Sequence, residues 1–127
     1  MSQIQQNPVD IDVKTQYLDD QSDPENKRYV FSYLITITNN DSETVQLLSR
    51  YWMITDGDQE TQEVEGQGVV GEQPAIKPGE SYSYTSGAVI STEVGSMTGH
   101  YNMRTASGSH FEAAIPAFTL ALPNALH

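Results

Sequence analysis

The feature that most constrains the fold is a two-residue alternation of apolar and polar side chains that recurs along the chain. Val9, Ile11 and Val13 alternate with charged residues, and a longer series runs through residues 28–39. This period is that of a β-strand with one buried face, and apolar stripes at the helical period of 3.6 residues are absent. The sequence therefore predicts an all-β chain.

Short predicted strands are separated by segments rich in turn-forming residues. Residues 66–79 are a loop punctuated by Gly and Pro, and residues 90–99 are a second loop. The turn Lys77-Pro78-Gly79-Glu80 has Pro and Gly where type II geometry needs them. The predicted strands are residues 9–18, 28–39, 44–56, 61–65, 81–85, 98–105 and 109–115.

About seven short strands with turns between them are typical of an antiparallel β-sandwich of the immunoglobulin or fibronectin type III kind. Trp52, in a central strand, and Tyr101, in the penultimate strand, lie where such a sandwich buries its large aromatic residues. Around Trp52, the alternation places Leu48 and Ile54 in phase toward the core. Arg50 shares their side, so its stem should cover the edge of the core.

The register of the last hairpin follows from its turn. A three-residue turn over residues 106–108, with Gly108 left-handed, pairs Met103 with Phe111. A two-residue turn would instead place Met103 opposite Glu112, so the longer turn is favoured. The predicted pairs are Thr105–Ser109, Met103–Phe111 and Tyr101–Ala113.

Size and charge limit the classes of function. The 127 residues suit one domain, which we expect to span 1–127 with flexible ends at 1–8 and 123–127. A net charge of −11 repels nucleic-acid phosphates and anionic membranes. No cysteine is present, residues 1–8 lack the basic and apolar regions typical of a signal peptide, and the sequence holds no run of 18 apolar residues. These features predict a cytoplasmic protein that binds neither nucleic acid directly nor membranes.

The glycine-rich loop is the most suggestive motif. Gly66, Gly68 and Gly71 match G-x-G-x-x-G, but no βαβ unit or following helix supports a dinucleotide site of the Rossmann type. Two interpretations remain open. The glycines either supply only backbone freedom or form an anion-binding nest. The predicted nest comprises Gly66, Gly68, Val69, Val70 and Gly71, with Lys77 as the nearby cation.

Neither a metal site nor a catalytic constellation is visible. His100 and His110 share a face of the last hairpin but stand about five residue steps apart, and His127 is terminal. The acidic stretch at residues 56–65 lacks the spacing of a calcium-binding EF-hand loop and suits a solvated edge strand. Ser109 and His110 point to opposite faces, so they cannot form a nucleophile–base pair. We therefore predict no cofactor, no metal and no enzymatic activity.

Tyrosines are the best candidates for contacts with a partner. Five of them exceed the needs of one small core and form either cross-strand ladders or a partner-binding surface. They are Tyr17, Tyr29, Tyr51, Tyr82 and Tyr84.

Several separated motifs, in order, resemble those of the ApaG family, also called CorD. The resemblance covers residues 9–122, with Tyr51 standing where members commonly have His. The motifs are the glycine loop with Glu72-Gln73-Pro74, residues 47–56, Pro78-Gly79-Glu80, residues 84–87, residues 95–103, and Phe111 with residues 115–118.

This resemblance implies a fibronectin type III-like sandwich in a small, cytoplasmic, bacterial protein. Members are often encoded beside a diadenosine tetraphosphatase, and the family is linked to cobalt and magnesium tolerance. Related eukaryotic domains occur in an F-box protein and in a protein that interacts with DNA polymerase, which implies partner binding. The family's glycine loop has been considered a nucleotide or pyrophosphate site, and by position it carries over to Gly66, Gly68 and Gly71.

Three functional hypotheses follow, given in order of preference. The first is a non-catalytic binding module, monomeric or weakly dimeric, that presents an acidic, tyrosine-rich face to an unidentified protein partner. The alternative is a regulator that binds nucleotide or pyrophosphate at residues 66–71, with a divalent ion bridging to Glu65 or Glu72. It would be linked to cobalt and magnesium tolerance or to diadenosine polyphosphate metabolism. An enzyme acting on dinucleoside polyphosphates ranks third, because phosphoryl transfer needs clustered cations or metal ligands.

Overall fold

The computed structural model describes residues 8–124 as eight β-strands and two short 3-10 turns. His127 and most of the predicted flexible ends, namely residues 1–7 and 125–127, lie outside the described residues. Neither helical turn within 8–124 is long and apolar enough to cross a membrane. The strands are β1 (Val9–Tyr17), β2 (Tyr29–Asn39), β3 (Val45–Asp56), β4 (Thr61–Gln67), β5 (Ala75–Ile76), β6 (Ser81–Ile90), β7 (Val94–Thr105) and β8 (His110–Ala121), and the turns are Asp19–Gln21 and Pro24–Asn26.

Two antiparallel sheets form the sandwich. One has the strand order β1-β2-β6, and the other has the order β4-β3-β7-β8 with the short β5 added to β3. The prediction of an all-β, antiparallel sandwich of the immunoglobulin or fibronectin type III kind is confirmed.

The core lies between the inner faces of these sheets. The apolar series of β2, from Phe31 to Ile37, is buried as its alternation predicts. Trp52 of β3 packs edge to face against Tyr101 of β7, with ring centroids 6.4 Å apart at 83°. Both rings are almost wholly buried, which confirms their predicted place in the core.

A β-bulge changes the phase of β3. The register against β7 shifts between Leu47 and Ser49, so that Leu47 is buried whereas Leu48 is only half-buried. Beyond the bulge, Trp52 and Ile54 are buried. The prediction that Leu48 shares the phase of Trp52 was wrong, because strict alternation fails where a strand carries an extra residue.

Residues 90–99 are not a loop, contrary to prediction. Strand β6 continues to Ile90, and β7 begins at Val94, so only three residues connect them. Strand β7 has glycine at positions 95 and 99 because the neighbouring backbone leaves no room for a side chain there. A Cβ would lie 2.7 Å from the Thr55 carbonyl oxygen at position 95 and 2.0 Å from that of Tyr51 at position 99.

Both predicted turns are confirmed. Thr105 donates its amide to the Ser109 carbonyl at 2.8 Å, Gly108 has a φ of +97°, and Met103 pairs with Phe111. In the turn before β6, Gly79 has a φ of +81°. There the Glu80 amide donates to the Lys77 carbonyl at 2.9 Å.

Candidate functional site

The glycine loop continues β4 and folds back on itself in a tight turn. Val69 and Glu72 exchange two backbone hydrogen bonds of 2.8 and 2.9 Å. Val70 and Gly71 between them have φ values of +42° and +82°, as a type I′ turn requires. Val69 is fully buried and anchors the turn, whereas Val70 is 57% exposed at its tip.

The bulge in β3 holds the base of this loop. The carbonyl of Leu48 accepts a hydrogen bond from the Gly68 amide at 2.8 Å and another from the Gln73 side chain at 2.8 Å. The amides of Gly68 and Val69 are thus both engaged with protein carbonyls. Of the predicted nest, the amides of Val70 and Gly71 lie at the tip, outside these bonds.

Arg50, rather than Lys77, is the cation that contacts the glycine loop. Its guanidinium donates to the carbonyls of Gln67, at 3.2 Å, and Gly68, at 2.9 Å. It lies over Gly66, where a Cβ would be only 2.7 Å from a guanidinium nitrogen. Lys77 is exposed in a separate turn beyond β5. The alternation of residues in the sequence predicted that Arg50 lies on the inner side. Its contact with Gly66 depends on how β3 pairs with β4, which the alternation does not predict.

An open groove of about 410 Å³ lies beside this arginine and extends onto the outer face of β3 and β7. In it, Tyr51 and His100 are cross-strand neighbours whose rings stack at 5.2 Å and 26°. His100 Nε2 is 3.8 Å from a carboxylate oxygen of Glu112. The groove is lined by Ser49, Arg50, Tyr51, Glu65, Gly66, Gln67, His100 and Asn102.

Carboxylates of β4 border the stacked pair. Glu65 pairs directly with Tyr51, and Glu63 lies two pairs further along, on the same face of the sheet. Burial raises the pKa of the Tyr51 phenol, and the charges of Glu63 and Glu65 raise that pKa further. Tyr51 therefore remains a neutral hydrogen-bond donor at neutral pH.

The five candidate tyrosines do not form one surface. Tyr29 and Tyr84 are buried, whereas Tyr17, Tyr51 and Tyr82 are half-buried. In the core, the hydroxyls of Tyr84 and Tyr101 share a hydrogen bond of 2.5 Å. Burial raises the pKa of Tyr33, Tyr84 and Tyr101, and the charge of Arg50 partly opposes each shift.

These buried phenols predict loss of stability in base. An unfolded tyrosine ionises near its ordinary pKa of 10.0, whereas Tyr84 and Tyr101 stay protonated when folded. Their contribution is therefore complete below pH 10 and is lost as pH rises above it, at about 1.4 kcal/mol per pH unit for each tyrosine. Urea unfolding measured at several pH values between 9 and 11.5 gives the free energy of unfolding as a function of pH. This free energy should fall less steeply with pH in Tyr84→Phe/Tyr101→Phe than in the parent chain. An unchanged slope in that variant would contradict this account.

Other potential ligands serve structural roles or stand apart. Within residues 8–124, no group of three or more His, Asp or Glu side chains is arranged to hold a metal ion. The Asp56 carboxylate accepts the amides of Asp58, at 2.8 Å, and Glu60, at 3.0 Å, and so stabilises the turn before β4. His110 pairs with Arg104, away from the Tyr51–His100 stack.

Comparison with known proteins identifies the family. The ApaG domain family (DUF525) matches residues 19–105. The chain is 56% identical over 119 residues to the protein ApaG of Pseudomonas putida strain F1, covering 94% of each chain. It is also 56% identical over 122 residues to that of Pseudomonas paraeruginosa strain PA7, covering 96% of this chain and 97% of the relative.

A solved structure agrees with this assignment. A crystal structure from Bordetella pertussis, described as that of an ApaA protein, superposes with a TM-score of 0.91 at 43% identity. The match covers 96% of this chain and 99% of the other. The sequence motifs, the sandwich and these relatives agree, and the chain therefore belongs to the ApaG family.

Proposed function

We propose that this protein is a non-catalytic binding module that uses the outer face around Tyr51 to hold a protein partner. This Tyr51 face comprises Tyr51, His100, Glu63, Glu65 and Glu112. The observation that carries the proposal is the stacked Tyr51–His100 pair, which offers flat aromatic surface and polar tips in an open groove. Tyrosine is enriched at protein interfaces because it combines these two properties.

Charge indicates the kind of partner. Within residues 8–124, the one ion pair joins His100 to Glu112, so Glu63 and Glu65 have no cationic partner there. Unpaired carboxylates beside an aromatic anchor favour a basic surface, which would approach faster and dock with complementary charge. The net charge of −11 acts in the same direction over a longer range.

Charge reversal tests this face. We expect Glu63→Lys/Glu65→Lys to reduce the amount of partner retained from a bacterial lysate by about tenfold, because like charges would now meet. Asp12→Lys/Glu25→Lys is the matched control, since it makes the same change in net charge at exposed positions outside the Tyr51 face. Quantitative mass spectrometry of the retained proteins gives the measurement. Equal losses in both variants would show an effect of net charge alone and would contradict the proposed face.

The alternative, a regulator that binds nucleotide or pyrophosphate, is supported by the Arg50 guanidinium at the base of the loop and by the amides of Val70 and Gly71 at its tip. It ranks second because Glu65 and Glu72 flank the loop. The amides of Gly68 and Val69 are also already bonded. A divalent ion would have to offset the two carboxylates before a phosphate could approach.

A further inference from the structure

We propose that the free edge of β6 binds an extended segment of a partner protein as an added β-strand. This inference deepens the proposed binding function and rests on it. Its first support is an asymmetry of the sandwich, since three strands face four. On the opposite side the edges are close, because β1 packs against β8. Since β1 lies against β8, the fourth strand of the larger sheet, β4, extends past β6 at the other side of the sandwich.

The exposure of β4 shows where a strand would fit. Val64 pairs with Trp52 and shares its inner face, yet Val64 is 36% exposed whereas Trp52 is 2% exposed. Apart from Gly66, every residue of β4 is exposed. In the part of the chain that the structure describes, no strand lies opposite β4. A strand added to β6 would occupy that position and cover Val64.

The backbone of β6 is ready to pair. The bond from the Asn39 amide to the Glu80 carbonyl, 2.9 Å, sets the phase of the β2–β6 ladder. In that phase the odd-numbered residues of β6 direct their amides and carbonyls away from β2. The side chain of Gln62 reaches one of these groups, the Val89 carbonyl, at 3.4 Å. The outward residues are Ser81, Ser83, Thr85, Gly87 and Val89.

The sequence of β6 lacks the usual protection of an edge strand. Its ten residues include no proline and no charged side chain. Exposed edges normally carry such residues because unpaired backbone attracts other strands. The charged β4 edge nearby, with Glu63 and Glu65, shows the contrasting case. An unprotected edge is suited to recognition by strand addition.

Geometry favours a single extended segment over a second copy of this chain. If two copies paired antiparallel through β6, the β6 strand of the partner copy would lie next to β6 of the first copy. It would then lie opposite β4 of the first copy. By symmetry, the partner copy's β4 would then overlap β3. Two copies that each carry a net charge of −11 would also repel each other. One isolated strand meets neither obstacle.

The inner surface specifies the segment's side chains. Val64 would contact apolar residues, at alternate positions along the segment. Arg50 lies on the same inner face over Gly66 and has no carboxylate partner within residues 8–124. An inward Asp or Glu would supply one. We therefore infer an extended segment with alternating apolar residues and one acidic residue among them.

A phage-displayed library of random linear dodecapeptides tests this inference. Peptides selected on the full chain should show that pattern and slow hydrogen exchange at the outward amides of Ser83, Thr85 and Gly87. Ser83→Pro should weaken binding of the selected peptides by about tenfold or more, because proline removes an outward donor and obstructs pairing. Ser83→Ala is the matched control. Both variants lose the Ser83–Thr36 hydroxyl bond, but only proline alters the edge.

A second variant guards against misfolding. Val64→Glu leaves β6 unchanged and places a charge in the position of the added strand, so it should weaken the same peptides. Failure of the library to enrich peptides, or peptides that bind Ser83→Pro as well as the parent chain, would overturn the proposal. A dimer in sedimentation that Ser83→Pro dissociates would overturn it in favour of self-pairing. Retention of lysate partners by Ser83→Pro but not by Glu63→Lys/Glu65→Lys would preserve the Tyr51 face and reject strand addition.

Discussion

Gly99→Ala should lower the free energy of unfolding by about 3 kcal/mol or more, into the range reserved for severe core changes. The new Cβ would lie 2.0 Å from the Tyr51 carbonyl oxygen and 3.1 Å from its carbonyl carbon. Both atoms belong to the backbone of β3, so no side-chain rotation relieves the clash. Strands β3 and β7 would have to separate. Urea denaturation followed by tryptophan fluorescence measures the change, since Trp52 pairs with Gly99.

A matched glycine separates this clash from the general effect of adding a methyl group. At Gly87 of β6, a Cβ would meet the Phe31 carbonyl oxygen at 3.2 Å, which a small backbone adjustment relieves. Gly87→Ala should therefore cost about 1 kcal/mol or less. Similar costs at Gly87 and Gly99 would mean that the β3–β7 approach is not the constraint at Gly99. Because Tyr51 supplies the obstructing carbonyl, Gly99→Ala should also displace the stack with His100.

Alternation predicted the faces of the strands well wherever pairing was regular. It placed the β2 series in the core and fixed the last hairpin, because only one register puts Met103 opposite Phe111. It failed at Leu48, where a bulge adds a residue without any local mark in the sequence. The glycines of β7 were misread as a loop for a related reason. A glycine required by a neighbouring backbone looks the same in sequence as one required by a turn.

The site was predictable only in part. The motif predicts a candidate site at residues 66–71, but bonds that hold the base of this loop come from the Leu48 carbonyl, some twenty residues away. Arg50 was placed on the inner side, yet its contact with Gly66 depends on the pairing of β3 with β4. The alternation pattern could not predict that β6 has a free edge, because that depends on the order of the strands in the sheet.

Gly68→Ala should also be severely destabilising, by about 3 kcal/mol, and it tests the two interpretations of the glycine motif. Gly68 has a φ of +66°, and a Cβ would lie 2.2 Å from the Glu72 carbonyl oxygen, the acceptor that closes the turn. Left-handed geometry alone costs a side chain about 1 to 2 kcal/mol, and the clash adds to it. Gly71→Ala is the matched control. Its φ is +82°, but nothing lies within 4 Å of its Cβ, so only the conformational cost applies.

The ligand measurement uses the parent chain and Gly71→Ala, titrated with pyrophosphate in the presence and absence of magnesium. If the loop is structural, amide chemical shifts at residues 66–77 stay flat in both proteins, and Gly68→Ala differs from them in stability alone. Saturable shifts at Val70 and Gly71 in the parent chain would instead establish an anion site at the tip. In that case Gly68→Ala should abolish the shifts as well as lower stability, because it distorts the turn that presents these two amides. The bonds of the Gly68 and Val69 amides favour the structural outcome, because two of the donors that a nest would offer are already satisfied within the protein.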